Sequence, residues 1–558
     1  MQLAAIVITI IAIIFIYSLY STAANRKNRF AKILRNFGQP PKDTDYELKK
    51  IQRYAIAVEK NSTGRKVRPV ENVSTLRVDN ITWHDLDMDN VFKRINTCLS
   101  SVGEEYLYNQ LHEITLTDSH LARREQLIAH FESHPQDLLA VQKCLFNLGK
   151  PLHNGVSSYI FEAENLRLPR ATLYKVLATL PFVCIAAIFI HPTVGILGLV
   201  ATYIVNLIFN MRVSNYVEME LPTINYFSQM VRCSKNITKT CGSSLPVMTE
   251  LEKFADIFKK AAHQTPAGMS AAASGDIIYP HLNILFLLDA RMYNRLVDLA
   301  YRRREELHNM FQTLGELDMA ICIMSFRKSL PHYTTPQFSP SNEIKFAGLY
   351  HPLIAKPVAN SGHMQANSLI TGSNASGKSS FIKALAINGI LAQTINTCTA
   401  QAFTCRHSLV VSSMAVRDDL LGGDSYFVVE VKSIKRILDL AQQFPCTCYI
   451  DEILRGTNTV ERIAASAAVL THLHEQDCLA IVATHDIELT QMLPYDNYHF
   501  TEQITEDDVI FDYTLRNGPS TSRNAIALIR TMGFDKKVVE MAEGIAADGH
   551  SVVSKLPL

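Results

Sequence analysis

From Val176 to Phe209 the chain contains no Asp, Glu, Lys or Arg. A run this apolar must be buried in a protein core or in lipid, so it restricts every fold available to the rest of the sequence. It is too long for one crossing and has a natural break at His191-Pro192. We expect two short crossings, about Val176–Ile190 and Val194–Phe209, forming a hairpin. Arg167, Arg170 and Lys175 precede it and Arg212 follows it, which keeps both ends on the cytoplasmic side. A core hairpin of a soluble domain is the competing reading, because each half is shorter than an ideal span. The first 25 residues also carry no charged side chain, and Leu3 to Tyr20 are almost wholly apolar. Ala23-Ala24 resembles a signal cleavage site, but the start lacks the basic n-region of a signal peptide. We therefore read residues 1–25 as an uncleaved anchor. Arg26, Lys27, Arg29, Lys32 and Arg35 follow at once and retain the C-terminal side in the cytoplasm. The expectation is a multi-pass protein with three spans, in contact with membrane lipids.

Residues 26–80 read as a basic juxtamembrane linker, solvated or drawn to anionic headgroups at about 1 kcal/mol per cation. In a cytoplasmic segment the N-x-[ST] triplets at Asn61, Asn72 and Asn80 are not glycosylation sites. Across the 558 residues, 54 basic side chains balance 53 acidic ones. That balance gives no basic face of the kind nucleic-acid binding usually needs. The eleven cysteines show no metal knuckle or disulfide framework, as expected in a reducing compartment.

Residues 81–345, interrupted by the hairpin at 176–210, read as one helical domain, with helical periodicity from Ile81 to about Arg327. Val91, Ile95, Leu99 and Val102 recur every three or four positions, as do Leu296, Leu299, Leu307, Leu314, Leu317 and Ile321. Long amphipathic helices on both sides of the hairpin suggest an outgoing and a returning lever. Arg302 to Arg304, followed by Glu305 and Glu306, read as a solvent-facing helix with local ion pairs. From 346 to 547 apolar runs such as "SLVVSSMAV" and "CLAIVAT" alternate with helical segments, the pattern of a mostly parallel sheet flanked by helices. Residues 548–558 form a tail.

Within that α/β region, Gly372-Ser373-Asn374-Ala375-Ser376-Gly377-Lys378-Ser379 matches G-x-x-x-x-G-K-[ST], with Ser380 next in the opening helix. The backbone N–H groups of such a loop wrap phosphates, Lys378 reaches the β- and γ-phosphates, and Ser379 ligates Mg²⁺. The apolar strand "CTCYIDE" ends in Asp451-Glu452. Asp451 suits the Mg²⁺ shell and Glu452 the polarisation of an attacking water. A further strand, "AIVATHD", ends in Thr484-His485, and a histidine there can read the γ-phosphate.

Together "TGSNASGKSS", "DDLLGGDSYFVVEV", "IDEILRGTNT" and "ATHDIEL" resemble, in order and spacing, the MutS ATPases, the ABC-type family of mismatch-recognition proteins. "GLYHPLI" (348–354) is similar to the segment before the family's nucleotide strand. The helical sequence near residues 100–131 is similar to its core, and "NGPSTSRNAIALIRTMGFDKKVVEMA" to its dimerisation element. The resemblance implies ATP and Mg²⁺ as ligands and a homodimer in which Ser425 of one subunit reaches the γ-phosphate bound by the other. It also implies that Asn374 supports the phosphate loop and that Arg455 belongs to the loop after the acidic pair.

The sequence departs from the family at Ser373 for proline, Ala375 for methionine, Leu454 for glycine and Ile487 for the second histidine. No phosphate or Mg²⁺ ligand is lost by these changes. The mismatch-reading and connector domains have no room before Ile81, and the hairpin stands where the family carries its DNA clamp. Two functions follow as expectations: an ATP-dependent protein binding mismatched or branched DNA at a membrane, or an ATP-driven switch acting on a membrane partner without DNA. An ABC-transporter ATPase is the weaker third, because three spans make a poor permeation path.

Overall fold

The computed structural model describes residues 17, 21, 24–41, 47–63, 75–151, 155–169, 171–242, 245–259, 278–373, 376–414, 426–504, 509–520, 526, 529–530 and 532–547. The anchor expected at 1–25 falls almost wholly outside them, as do Asn374, Ala375, Ser425 and the tail. The chain divides into two compact units: residues 1–68, 96–109 and 124–326, and residues 69–95, 110–123 and 327–558.

The first unit is helical. Its main elements are α1 (Leu48–Thr63), α2 (Ser101–His112), α3 (Pro135–Leu148), α4 (Ala171–Ile188), α5 (Pro192–Cys241), α6 (Pro246–Ile257), α7 (Leu288–Arg302) and α8 (Arg304–Lys328). The core-facing stripe of α8, including Leu307, Leu314, Leu317 and Ile321, is buried as the periodicity predicts. Two predicted runs are divided. One stops at Ile95 and resumes at Ser101, because the intervening backbone turns around the buried Asp318 carboxylate. Leu99 N–H (2.9 Å), Ser100 N–H (2.8 Å) and the Ser100 hydroxyl (2.6 Å) all donate to it. Burial pushes the Asp318 carboxyl up to about 6, with those donors offsetting part of the effect. The other run breaks at Arg303, which then pairs with Glu306 at 2.8 Å on the surface.

The apolar hairpin is made by α4 and the start of α5. His191 is extended and Pro192 opens α5, so the turn falls at the expected break. Small residues allow close contact: a Cβ on Gly195 would lie 2.5 Å from Ile188, and one on Gly198 3.1 Å from the Cys184 sulfur. The second arm does not end near Phe209. It continues for 50 residues to Cys241, about 75 Å at helical rise, with Pro222 its one interior proline. Among the described residues, α4 and α5 are long and apolar enough to cross a membrane, yet only 22% and 17% of their most apolar windows are buried in the protein.

The second unit is α/β. Its six-stranded sheet comprises β1 (Ser368–Thr371), β2 (Leu409–Ser413), β3 (Cys446–Asp451), β4 (Cys478–Ala483), β5 (Asp496–His499) and β6 (Arg516–Asn517), in the order β6-β5-β1-β4-β3-β2. All neighbours are parallel except β5 and β6. The helices α9 (Lys378–Ile395), α10 (Tyr426–Ala441), α11 (Thr459–His474) and α12 (Lys536–Ala547) accompany it. The strands β1 to β4 are buried on both faces and read as continuous apolar or small-residue runs. A four-stranded sheet (337–338, 344–349, 360–364 and 402–405) completes the unit. The short helix Asn80–Asp85 shields the β2 edge, where Thr82 and Asp85 accept from Ser412 and Met414. Helix does not fill all of 81–327, because Glu113–Thr115 pairs antiparallel with Thr75–Arg77. Three-residue strands are too short to show alternation in sequence.

Candidate nucleotide site

Strand order assembles the site. β4 lies between β1 and β3, with Ala483 level with both Ile370 and Asp451. The carboxyl ends of three parallel strands therefore release the Gly372 loop, His485 and the Asp451-Glu452 pair along one edge, where open α/β sheets bind ligands.

Both outer glycines of the loop are sterically required. Gly372 has φ +139° and a Cβ there would lie 2.5 Å from the Phe500 carbonyl oxygen. Gly377 has φ +100°, and its Cβ would meet the Tyr513 ring at 2.9 Å. Ser376 is buried, its hydroxyl donating to the Ser373 carbonyl at 2.7 Å. The Ser373 hydroxyl donates to Glu502 at 3.1 Å, an interaction that a proline at this position could not make. Lys378 opens α9 and is 2% exposed, with Nζ donating to the carbonyls of Gly372 (2.6 Å) and Ser373 (2.7 Å). Burial lowers its pKa to about 8, and the carboxylates of Asp451, Glu452 and Glu502 offset part of that shift. Ser379 and Ser380 follow in the first turn of α9 and line a cavity of about 500 Å³.

The carboxylate of Glu452 is held at both oxygens. His485 Nε2 lies 2.9 Å from Oε1 and Arg455 Nε 2.5 Å from Oε2. Burial pushes this carboxyl up, but the His485 hydrogen bond and the charges of Arg455, His485 and Lys378 outweigh it and leave the pKa below its ordinary value. His485 Nε2 is also 3.5 Å from Lys378 Nζ, so a proton on Nε2 facing Glu452 precludes acceptance from the lysine. Glu452 and Leu454 both have left-handed backbone, φ +60° and +56°. At 454 a glycine would be unstrained. Leu454 is 6% exposed, and burial worth about 2 kcal/mol offsets a strain of about 1–2 kcal/mol.

Asp451 fits a divalent ion. Its Oδ1 is buried without a hydrogen-bond partner, and an unmatched carboxylate oxygen in that position is costly unless a cation receives it. Among the described residues there is no cluster of three or more metal-ligating side chains. Magnesium does not need one, because phosphates and waters supply most of its shell.

Several site residues carry no motif in the sequence. His351, Phe500 and Tyr513 form the cavity wall beside Gly377 and Ser379. Burial, then the Lys383 charge, lowers His351 to about 4, so its ring is neutral, and its Nδ1 accepts from Leu353 N–H at 3.2 Å. The one signal for it was "GLYHPLI". Arg462 grips Asp486 with two hydrogen bonds (2.9 and 2.6 Å), fixing the turn after His485.

Comparison with known proteins agrees with this geometry. The family described as MutS domain V matches residues 368–548. The DNA mismatch repair protein MutS of a Thermus thermophilus strain is 29% identical over 266 residues, covering 46% of this chain and 32% of that protein. The MutS protein homolog 4 of Mus musculus is 31% identical over 251 residues, covering 41% of this chain and 26% of that protein. The chain thus spans about a third or less of the length of these curated relatives. Residues 368–548, most of the C-terminal half, are a MutS domain V, the ATPase domain shared with these relatives.

Proposed function

We propose that the protein is a MutS-type ATPase held at a membrane by the α4–α5 hairpin, and that hydrolysis in a homodimer changes the conformation of its helical unit. The observation that carries the ATPase reading is the convergence of Lys378, Glu452 and His485 beside the glycine loop, with an unpartnered Asp451 oxygen among them. In this reading Lys378 and the loop N–H groups bind the β- and γ-phosphates, while Ser379 and Asp451 hold Mg²⁺. The bound ion neutralises phosphate charge. Glu452 accepts a hydrogen bond from the attacking water, and His485 and Arg455 orient it for that task. Ser425 of the partner subunit would complete the site, as the family resemblance implies.

The hairpin supports membrane attachment. Phe182, Val183, Phe189, Ile190, Val194 and Leu197 are all exposed on it, a contiguous apolar surface that favours lipid over water. The relatives named as DNA mismatch repair proteins favour DNA, mismatched DNA above all, as the partner acted upon. A membrane partner without DNA is the second reading, favoured by the hairpin itself. Titrating the detergent-purified protein with homoduplex, mismatched and branched DNA across a salt series separates the two. Salt-steep, structure-selective affinity supports DNA work, whereas affinity no better than that of a neutral control protein leaves the membrane partner.

The ATPase reading is tested by Glu452→Gln in the full-length protein. ATP binding should persist while turnover falls at least about a hundredfold. Undiminished turnover would remove Glu452 from its role.

A further inference from the structure

Two adjoining cavities in the helical unit, of about 690 and 460 Å³, share Arg29, Phe146, Gly149 and Lys150 as wall. Arg26 lines the larger and Lys32 the smaller. Residues 24–35 are helical, and Arg26, Arg29 and Lys32 at three-residue spacing share one side of that helix. Among the described residues none of these three side chains has an ion pair or hydrogen bond. Lys150 reaches the same space from the end of α3. Among the described residues no Asp or Glu lines either cavity. The nearest carboxylates are already engaged: Glu104 takes Lys150 (2.5 Å) and Asn96 (2.8 Å), and Asp318 takes the Leu99 and Ser100 donors. Neutral donors complete the walls, Asn225 and Gln229 in the larger cavity and Asn36 and Gln142 in the smaller.

A basic segment after an apolar one is ordinarily solvated, or drawn diffusely to an anionic surface. Here Arg26, Arg29 and Lys32 line the same two grooves, beside Lys150, whose charge Glu104 balances. Positive charge from these three side chains next to amide donors is chemistry suited to phosphate oxygens. We infer that the joined cavities bind a phosphate-bearing anion, supplied as the headgroup of an anionic phospholipid or as a soluble phosphate ester.

The test uses the full-length chain in detergent micelles, in a Lys378→Ala background so that the glycine loop does not contribute. Thermal unfolding is followed against sn-glycerol 3-phosphate in one arm. In the other arm phosphatidylglycerol is doped into the micelles against phosphatidylcholine, with chloride holding ionic strength constant. Arg26→Gln/Arg29→Gln removes two cations from the cavity wall, whereas Lys27→Gln/Arg35→Gln removes two from the same helix outside it. A saturable rise in the unfolding midpoint is expected in at least one arm. The half-saturating concentration should increase roughly thirtyfold in the first variant and no more than about threefold in the second. A response to lipid alone identifies the headgroup, and a response to glycerol phosphate identifies a soluble ligand. Equal weakening by both variants, or no saturable response in either arm, would overturn the inference. ATP turnover is not part of the readout, so this result is independent of the ATPase proposal.

Discussion

The ammonium of Lys378 offers a quantitative check on the site. Burial brings its pKa to about 8, so the nucleotide-free side chain is charged below that pH and neutral above it. Only the charged form suits phosphate, and bound phosphates hold the proton, so nucleotide affinity must fall as pH rises through 8. With that midpoint about nine-tenths of the lysines are charged at pH 7 and about one-tenth at pH 9, a weakening of about tenfold, or about 1.4 kcal/mol. The assay is equilibrium binding of a fluorescent ATP analogue with Mg²⁺ at pH 7, 8 and 9 and constant ionic strength. Lys378→Arg is the control, because a guanidinium stays charged throughout; its affinity should be weaker but flat. Glu502→Gln removes a carboxylate that raises the lysine pKa and should move the wild-type midpoint to lower pH. Constant affinity from pH 7 to 9 in the wild-type protein, or a parallel fall in the arginine variant, would refute the reasoning.

Other outcomes can be stated more briefly. A Cβ at Gly103 would sit 2.2 Å from Asp318 Oδ2, so Gly103→Ala should displace that carboxylate from its donors; the expected loss is about 3–5 kcal/mol, read as a lower unfolding midpoint. Val183 is 62% exposed on the hairpin, and Val183→Lys should disfavour insertion by about 3 kcal/mol and shift protein out of the carbonate-resistant membrane pellet. If the variant stays in that pellet as fully as the wild type, this face of α4 does not lie in hydrocarbon.

The chemistry-bearing edge of the sheet was legible because each part is local: the glycine loop, the acidic pair and His485 all follow short apolar strands. What the sequence concealed depends on contacts distant along the chain. Tyr513 packs on Gly377 and Glu502 bonds Ser373, but neither sits in a motif. The break at Asn96–Ser100 was hidden because Ile95, Leu99 and Val102 keep helical spacing across it. The competing demand came from Asp318, more than two hundred residues away, whose carboxylate draws the Leu99 and Ser100 amides out of a helical ladder. The reach of α5 past Phe209 was also unseen, since loss of apolarity marks the edge of a lipid-compatible segment and not the end of a helix.

That reach has a mechanical meaning. From Pro192 to Cys241 no loop interrupts α5, so its exposed apolar start and its protein-packed second half form one shaft with Pro222 as the one interior proline. If the hairpin lies in lipid as proposed, tilting its apolar part would strain the packed half unless that joint absorbed the bend. Stiffness at this proline would then govern how faithfully movement passes between the apolar start of α5 and the protein packed around its end.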